Sequence, residues 1–182
     1  MKYEYQEHGV TKGSELFLST PSHLAEALFF YLHRCGRFVC TSEYRIDRQN
    51  FNNYFLFYVE RGSMHIEDAG KAYTAQAGDM GIINCHLPHV YAALQSPTIF
   101  SWIHFSGSNT QAFYEHIVHR NQSVFHLPKN SPVPKHLAEL IALQRQDGLP
   151  AETDISLRLH HLLSELLFIE DHDDSTHSIS NP

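Results

Sequence analysis

Lysine and arginine are scarce in this chain: 13, against 20 aspartates and glutamates, a net charge of −7 with the histidines neutral. No five-residue window is rich in either. The clustered basic surface that holds a phosphate backbone is therefore missing, and residues 1–182 are not expected to bind DNA or RNA by themselves. Cysteine is limited to Cys35, Cys40 and Cys85. So odd and sparse a set suits buried thiols in a reducing cytoplasm better than a disulfide scaffold. No run approaches the ~18–20 apolar residues of a membrane span. The opening MKYEYQEHGV has neither the basic n-region nor the apolar h-region of a secretory signal. Catalytic signatures are missing too: there is no GxSxG, no P-loop, no GxGxxG after a strand and no CxxC. The adjacent acids Glu67-Asp68, at a turn, and Asp173-Asp174, near the end, read as solvated charge.

What is present is an apolar chain of 182 residues, 42% hydrophobic, with twelve phenylalanines and nine tyrosines. At about 100–200 residues per domain this is one domain with an appendage, large enough to bury a core without staples. Ser22 to Ala27 could open a short helix. Leu28 to Leu32 reads as a buried strand ending near Cys35-Gly36, and Arg37–Cys40 as a short return strand. From Tyr54 the pattern is strong. Tyr54–Val59 is β-branched or aromatic almost throughout, and Arg61-Gly62-Ser63, Asp68-Ala69-Gly70-Lys71 and Ala77-Gly78-Asp79 are turns between further strands. Thr98–Phe105 is the last long strand, stopped at Ser106-Gly107. Short strands every 8–12 residues with glycine-bearing turns mark a sandwich or small barrel.

After Gly107 the period becomes helical. Asn109–His119 is a helix, Val124–Leu127 a short extended piece, and Pro134 suits the first turn of another helix. A stop at Asp147-Gly148-Leu149-Pro150 precedes a last helix over 153–169 with a wide stripe of Ile155, Leu159, Leu162, Leu163 and Leu166. The stripe is wider than one neighbouring helix should cover, which points to a second copy of the chain across a two-fold axis; packing within the chain is the other reading. The fold class is thus mainly β with C-terminal helices: an antiparallel barrel with an N-terminal arm over 1–107, a helical dimerisation region over 108–169 as a hairpin, and a polar tail over 170–182.

Fifteen histidines invite a metal hypothesis, and His86 and His89 form HxxH with His65 and His104 on neighbouring strands. Yet HxxH arises by chance at this frequency, and His86 stands in a turn before Leu-Pro. Gly78-Asp79 followed by a strand, a proline turn and His89 resembles the second signature stretch of the cupin barrel. Laid on that signature, only Gly78 and His89 match; the other positions fall on Asn84, His86 and Ala93. The ligand positions of the first stretch fall near Gln49, Phe51 and Phe55, and phenyl rings cannot hold a borderline cation. The chain therefore resembles a cupin whose metal site has given way to aromatic residues, and neither metal nor other cofactor is expected. By period-2 alternation, if His89 faces inward so does Tyr91, and Trp102 and His104 share one face of the last strand. An aromatic wall with polar tips suits a small polyol, with rings against sugar C–H bonds and His, Tyr and Arg on the hydroxyls. The candidate ligand-binding residues are Arg48, His89, Tyr91, Trp102 and His104; each has an ordinary core or surface role as its alternative.

Several stretches in this order are similar to the effector-binding half of AraC-type transcriptional regulators. They are Cys35-Gly36 with Cys40, Tyr44–Arg48, Tyr54–Gly62, Ala77-Gly78-Asp79, Pro88–Tyr91 and, the most specific, Trp102-Ile103-His104-Phe105-Ser106-Gly107. The resemblance implies a cupin-like barrel that binds a small effector, often a sugar, joined to helices that make a homodimer. It is not an enzyme on that reading; a small metal-dependent cupin isomerase or dioxygenase is the alternative. In arabinose-responsive members the positions matching Tyr91 and Trp102 line the sugar pocket, while the pocket His two residues before that Trp falls on Phe100. Family members bind DNA through helix-turn-helix units, none of which follows Glu170. The chain is expected to be a cytoplasmic sensor half with no membrane contact, reaching DNA only through a region not present in it.

Overall fold

Tyr54–Val59 has no polar residue on either face, and a strand of that kind must be covered on both sides. The computed structural model, which describes residues 7–145 and 151–169, shows how. In chain order the elements are β1 (Glu15–Leu18), α1 (His23–Leu28), β2 (Tyr31–Cys40), β3 (Arg45–Arg48), β4 (Tyr54–Arg61), β5 (Ser63–Asp68) and β6 (Lys71–Gln76). Then come β7 (Asp79–Asn84), β8 (His89–Ala93), β9 (Thr98–Ser106), α2 (Thr110–Asn121), β10 (Val124–His126), α3 (Val133–Leu143) and α4 (Glu152–Leu167). Ten strands form a six-stranded antiparallel sheet, β1-β2-β9-β4-β7-β10, and a four-stranded one, β3-β8-β5-β6. Among the described residues their ladders do not join into one closed ring. The expected class, mainly β with C-terminal helices, is what the chain adopts.

The larger sheet divides the protein into two cores. Along β4, Tyr54 and Leu56 point to one side and Phe55, Phe57 and Val59 to the other. Along β9, Ile103 and Phe105 share the first side, and Phe100 and Trp102 the second. The first side is covered by α2, α3 and α4 through Tyr114, Ile117, Leu137, Leu140 and Ile141. The second faces the smaller sheet, which contributes Met64, Ile66, Ala75, Tyr91 and Ala93.

The stripe of α4 requires a correction. Ile155, Leu159, Leu162, Leu163 and Leu166 are all buried within the single chain, because α2 and the outer face of β2 cover what α3 leaves open. These five side chains therefore present no seam to a second copy. The exposed face of α4 carries Leu157, His160 and His161 instead.

Two local readings also change. Helix α1 runs through Leu28, capped by Ser22, whose hydroxyl accepts from Ala25 N at 3.2 Å. Strand β2 then continues past Gly36 to Cys40. Gly36 is no turn: a Cβ there would lie 2.1 Å from the Glu15 carbonyl and 3.2 Å from the Trp102 ring, so glycine is what lets β1 and the indole approach. The three thiols are free and buried as expected; burial pushes those of Cys35 and Cys40 up to about 12. No helix among the described residues is long and apolar enough to cross a membrane. The predicted tail over 170–182 lies outside the described residues.

Candidate functional site

Between the two sheets, Glu7, Arg34, Phe38, Tyr44, Phe55, Tyr91, Trp102 and His104 line a cavity of about 10 Å³, room for roughly one water molecule. Its walls are aromatic. Phe55 stacks on Tyr91 at 4.5 Å and tilts over His104 at 4.7 Å, and Phe38 meets the Trp102 ring edge-on at 4.9 Å. Of the residues expected from sequence, Tyr91, Trp102 and His104 line the cavity itself. His89 stacks on Tyr91 one position further out, with ring centroids 6.1 Å apart. Arg48 lies opposite His89 in the β3–β8 ladder, and its guanidinium sits 4.6 Å over the Phe51 ring.

Sequence reasoning missed Arg34. Strict alternation from Leu32, which packs toward the helices, would put Arg34 on the same side. A β-bulge between Leu32 and Arg34 inserts His33 and reverses that parity, so Arg34 turns inward opposite His104. Its guanidinium also lies over Phe51, at 4.3 Å. Glu7 was missed because it stands outside any strand. The Val10–Cys40 bridge and a hydrogen bond from Val10 N to the Glu7 carbonyl, 3.0 Å, hold its segment over the cavity.

The polar chemistry of the site is one-sided. Arg34 Nε, Arg48 Nη1, Trp102 Nε1 and His89 Nε2 are buried without a hydrogen-bond partner among the described residues. The first three are donors only. His89 Nδ1 donates to the Leu87 carbonyl at 2.8 Å, so in the neutral ring Nε2 is an acceptor. Burial lowers the His89 pKa, and the Leu87 hydrogen bond offsets this only in part. Burial also raises the Tyr91 and Tyr44 hydroxyls. A metal ion does not suit this donor set. Phe51 and Phe55 bring phenyl rings rather than ligating atoms, and two guanidiniums oppose a further cation. A group of three ligating side chains does occur, but on the helical side, where His136, His161 and Glu165 converge. A larger open groove of about 580 Å³, beside Pro128, Val133 and Phe168, lies far from these polar atoms.

His104 makes the site sensitive to acid. Its Nδ1 donates to Asn53 Oδ1 at 2.7 Å. Burial, and then Arg34 and Arg48, hold its pKa well below the ordinary 6.5. The unfolded chain takes up that proton near pH 6.5 and the folded chain does not. The stability is therefore complete above pH 6.5 and is lost as pH falls from there toward the folded value. The slope is about 1.4 kcal/mol per pH unit for this one group. In urea unfolding at pH 6.5 and 5.5, the wild type should lose about 1 kcal/mol more than His104→Gln; equal losses would show that His104 titrates normally.

Asp68 reverses a sequence expectation. It is not solvated but 0% exposed. Tyr114 Oη and Ser123 Oγ donate to its Oδ2 at 2.8 and 2.7 Å, and Asn84 N donates to Oδ1 at 3.3 Å. It pairs with His89 in the β5–β8 ladder, so one carboxylate ties the rim of the cavity to α2 and to the segment entering β10.

The family model of the AraC-like ligand binding domain matches residues 31–163. No curated protein matches the chain. Among solved structures, an HTH_3 family transcriptional regulator from Vibrio cholerae is 14% identical over 51% of this chain and 51% of its own, with a TM-score of 0.40. The protein YhaK from Escherichia coli is 13% identical over 65% of this chain and 52% of its own, TM-score 0.49. A Cupin_2 domain of an XRE family transcriptional regulator from Enterobacter cloacae is 15% identical over 52% of this chain and 99% of its own, TM-score 0.38. The chain spans about half the length of the first two.

Proposed function

This chain belongs to the AraC-like ligand-binding family, and from that premise we propose that it senses a small hydroxylated effector, of the carbohydrate class, between its sheets, where the present space of about 10 Å³ must open to admit it. The observation that carries this is a set of four buried polar atoms without partners among the described residues, two of them on the aromatic-walled cavity, Arg34 Nε and Trp102 Nε1, and two beside it, Arg48 Nη1 and His89 Nε2. Leaving such groups unpaired is costly; ligand hydroxyls pair them, while the faces of Tyr91, Phe55 and Trp102 meet the C–H surface of a sugar. Arg34, Arg48 and Trp102 offer fixed donors and His89 an acceptor, groups that hold a molecule without transforming it. In this reading the domain is a non-enzymatic, cytoplasmic part of a transcription regulator, and DNA is bound by a region outside this chain. A homodimer remains part of the proposal, with its contact on the outer face of α4 around Leu157 rather than on the buried stripe.

Trp102 is the only tryptophan, so its emission reports on the cavity directly. A metabolite collection is screened by thermal unfolding; a ligand at 100 times its Kd adds about 2.7 kcal/mol. Compounds that raise the midpoint should also change Trp102 emission, and Trp102→Ala should weaken them by about 1–3 kcal/mol. A stabilising compound that changes neither would move the effector site away from this cavity.

A further inference from the structure

One guanidinium and one carboxylate, those of Arg34 and Glu7, line the cavity; a second guanidinium, that of Arg48, lies beside it, and the pairing is poor. Arg34 and Arg48 both lie over the Phe51 ring, at 4.3 and 4.6 Å. Among the described residues the acid that reaches them is Glu7, 3.8 Å from Arg48 Nη2, an ion pair without a hydrogen bond. Burial raises the Glu7 carboxyl despite both arginines beside it. Among the described residues Arg34 Nε and Arg48 Nη1 have no acceptor. A half-buried site with two cations, spare N–H groups and one loosely held carboxylate is short of one well-seated anion. Guanidinium geometry matches a carboxylate in particular, since its N–H groups bond two oxygens side by side.

We propose that the effector carries a carboxylate, and that this group takes the place beside Arg48 and Arg34 that the Glu7 side chain occupies. The effector class is then a sugar acid or a similar small hydroxylated carboxylate rather than a neutral sugar. The aromatic walls and His89 Nε2 take its carbon frame and hydroxyls, and the two arginines take its charge. Glu7 acts as an internal competitor: it screens the arginines when no effector is bound and leaves when one enters. This inference rests on the cavity being the effector site.

The test uses the Glu7 side chain in free form. Glu7→Ala opens a carboxylate-sized space, and propionate supplies the missing group. Trp102 emission and the thermal midpoint are followed while Glu7→Ala, Glu7→Gln and wild type are titrated with propionate, propionamide and inorganic phosphate. Propionate should bind Glu7→Ala saturably, about tenfold or more tighter than it binds wild type, and propionamide should not bind. Glu7→Gln, which keeps the shape and removes the charge, should fall between. Adding Arg34→Met or, separately, Arg48→Met to Glu7→Ala should weaken propionate about tenfold or more, and either variant suffices if the other fails to fold. Equal responses to propionate and propionamide would overturn the inference, as would phosphate binding more tightly than propionate. The two readings fail separately. A neutral metabolite that changes Trp102 emission, with no propionate effect, leaves the sensor and removes the carboxylate. Propionate binding with no stabilising metabolite leaves the anion site and removes the sensor.

Discussion

Replacing Leu159 and Leu166 together with lysine is expected to abolish cooperative folding, not to release monomers from a dimer. Both side chains are wholly buried inside one chain, among Leu137, Leu140 and Ile141 of α3 and the outer face of the larger sheet. Truncating a buried leucine to alanine costs roughly 2.7–5.0 kcal/mol, through lost transfer energy and the space left behind. Lysine at the same position also brings an ammonium into an apolar region that offers it no acceptor. Two such changes cost more than about 6 kcal/mol, which reaches the total stability of many domains, about 5–15 kcal/mol. The damage extends beyond α4, because Leu56, Met80, Ile82, Ile103 and Phe105 rely on the helices for cover. Circular dichroism melts and light scattering distinguish the outcomes. A soluble double variant with an unchanged midpoint would show that the stripe is not packed as described. Leu157→Lys is the control: at 70% exposure its stability should stay within about 0.5 kcal/mol of wild type, and a change in mass for that variant alone would locate a dimer contact.

The strands between Tyr54 and Phe105 were legible because turn chemistry punctuates them. Gly62, Gly70 and Gly78 all adopt positive φ, at 85°, 77° and 96°, and each falls in a turn that the sequence marks. Strand alternation singled out Tyr91, Trp102 and His104, and all three line the cavity. Gly36 misled because glycine has two uses: the sequence suggests a turn, while the chain uses the missing side chain for close approach of β1 and Trp102. The inward turn of Arg34 depends on a bulge, and a bulge changes no residue type. Glu7 depends on where a segment outside the sheet comes to rest. The covering of the α4 stripe depends on a third layer, the outer face of a sheet whose strands are apolar on both sides. Tyr54–Val59 contained that information, because a strand without a polar face requires a second cover, and α2, α3 and α4 are the only helices of useful length to supply it among the described residues.

Asp68→Ala should be the most damaging single change at a polar position. A turn acid is ordinarily replaceable within about 0.5 kcal/mol, but this one is fully buried and is the shared acceptor of three donors. No lysine or arginine forms an ion pair with it among the described residues, so two hydroxyls and a backbone amide carry its hydrogen bonding. Bonds to a charged group contribute about 1.5–3 kcal/mol each, and a buried donor left unpaired costs about 1–3 kcal/mol. Alanine strands all three donors at once, and the expected loss is about 4 kcal/mol, a fall of about 10 °C in Tm for a chain of this size. Asparagine is milder, because it keeps one acceptor oxygen and the Tyr114 and Ser123 hydroxyls can rotate to accept from its amide. Tyr114→Phe and Ser123→Ala remove one donor each and should cost about 1–2 kcal/mol apiece. Because Tyr114 donates to the Asp68 carboxylate itself, Tyr114→Phe should cost little further in the Asp68→Ala background, the mark of direct coupling in a double-mutant cycle. Asp68 also faces His89 across the β5–β8 ladder, so the same variants should loosen the rim of the cavity, and amide exchange along β8 should rise with the loss of stability. An Asp68→Ala protein whose Tm stays within about 2 °C of wild type would mean that the carboxylate does not hold α2 and β10 to the cavity rim.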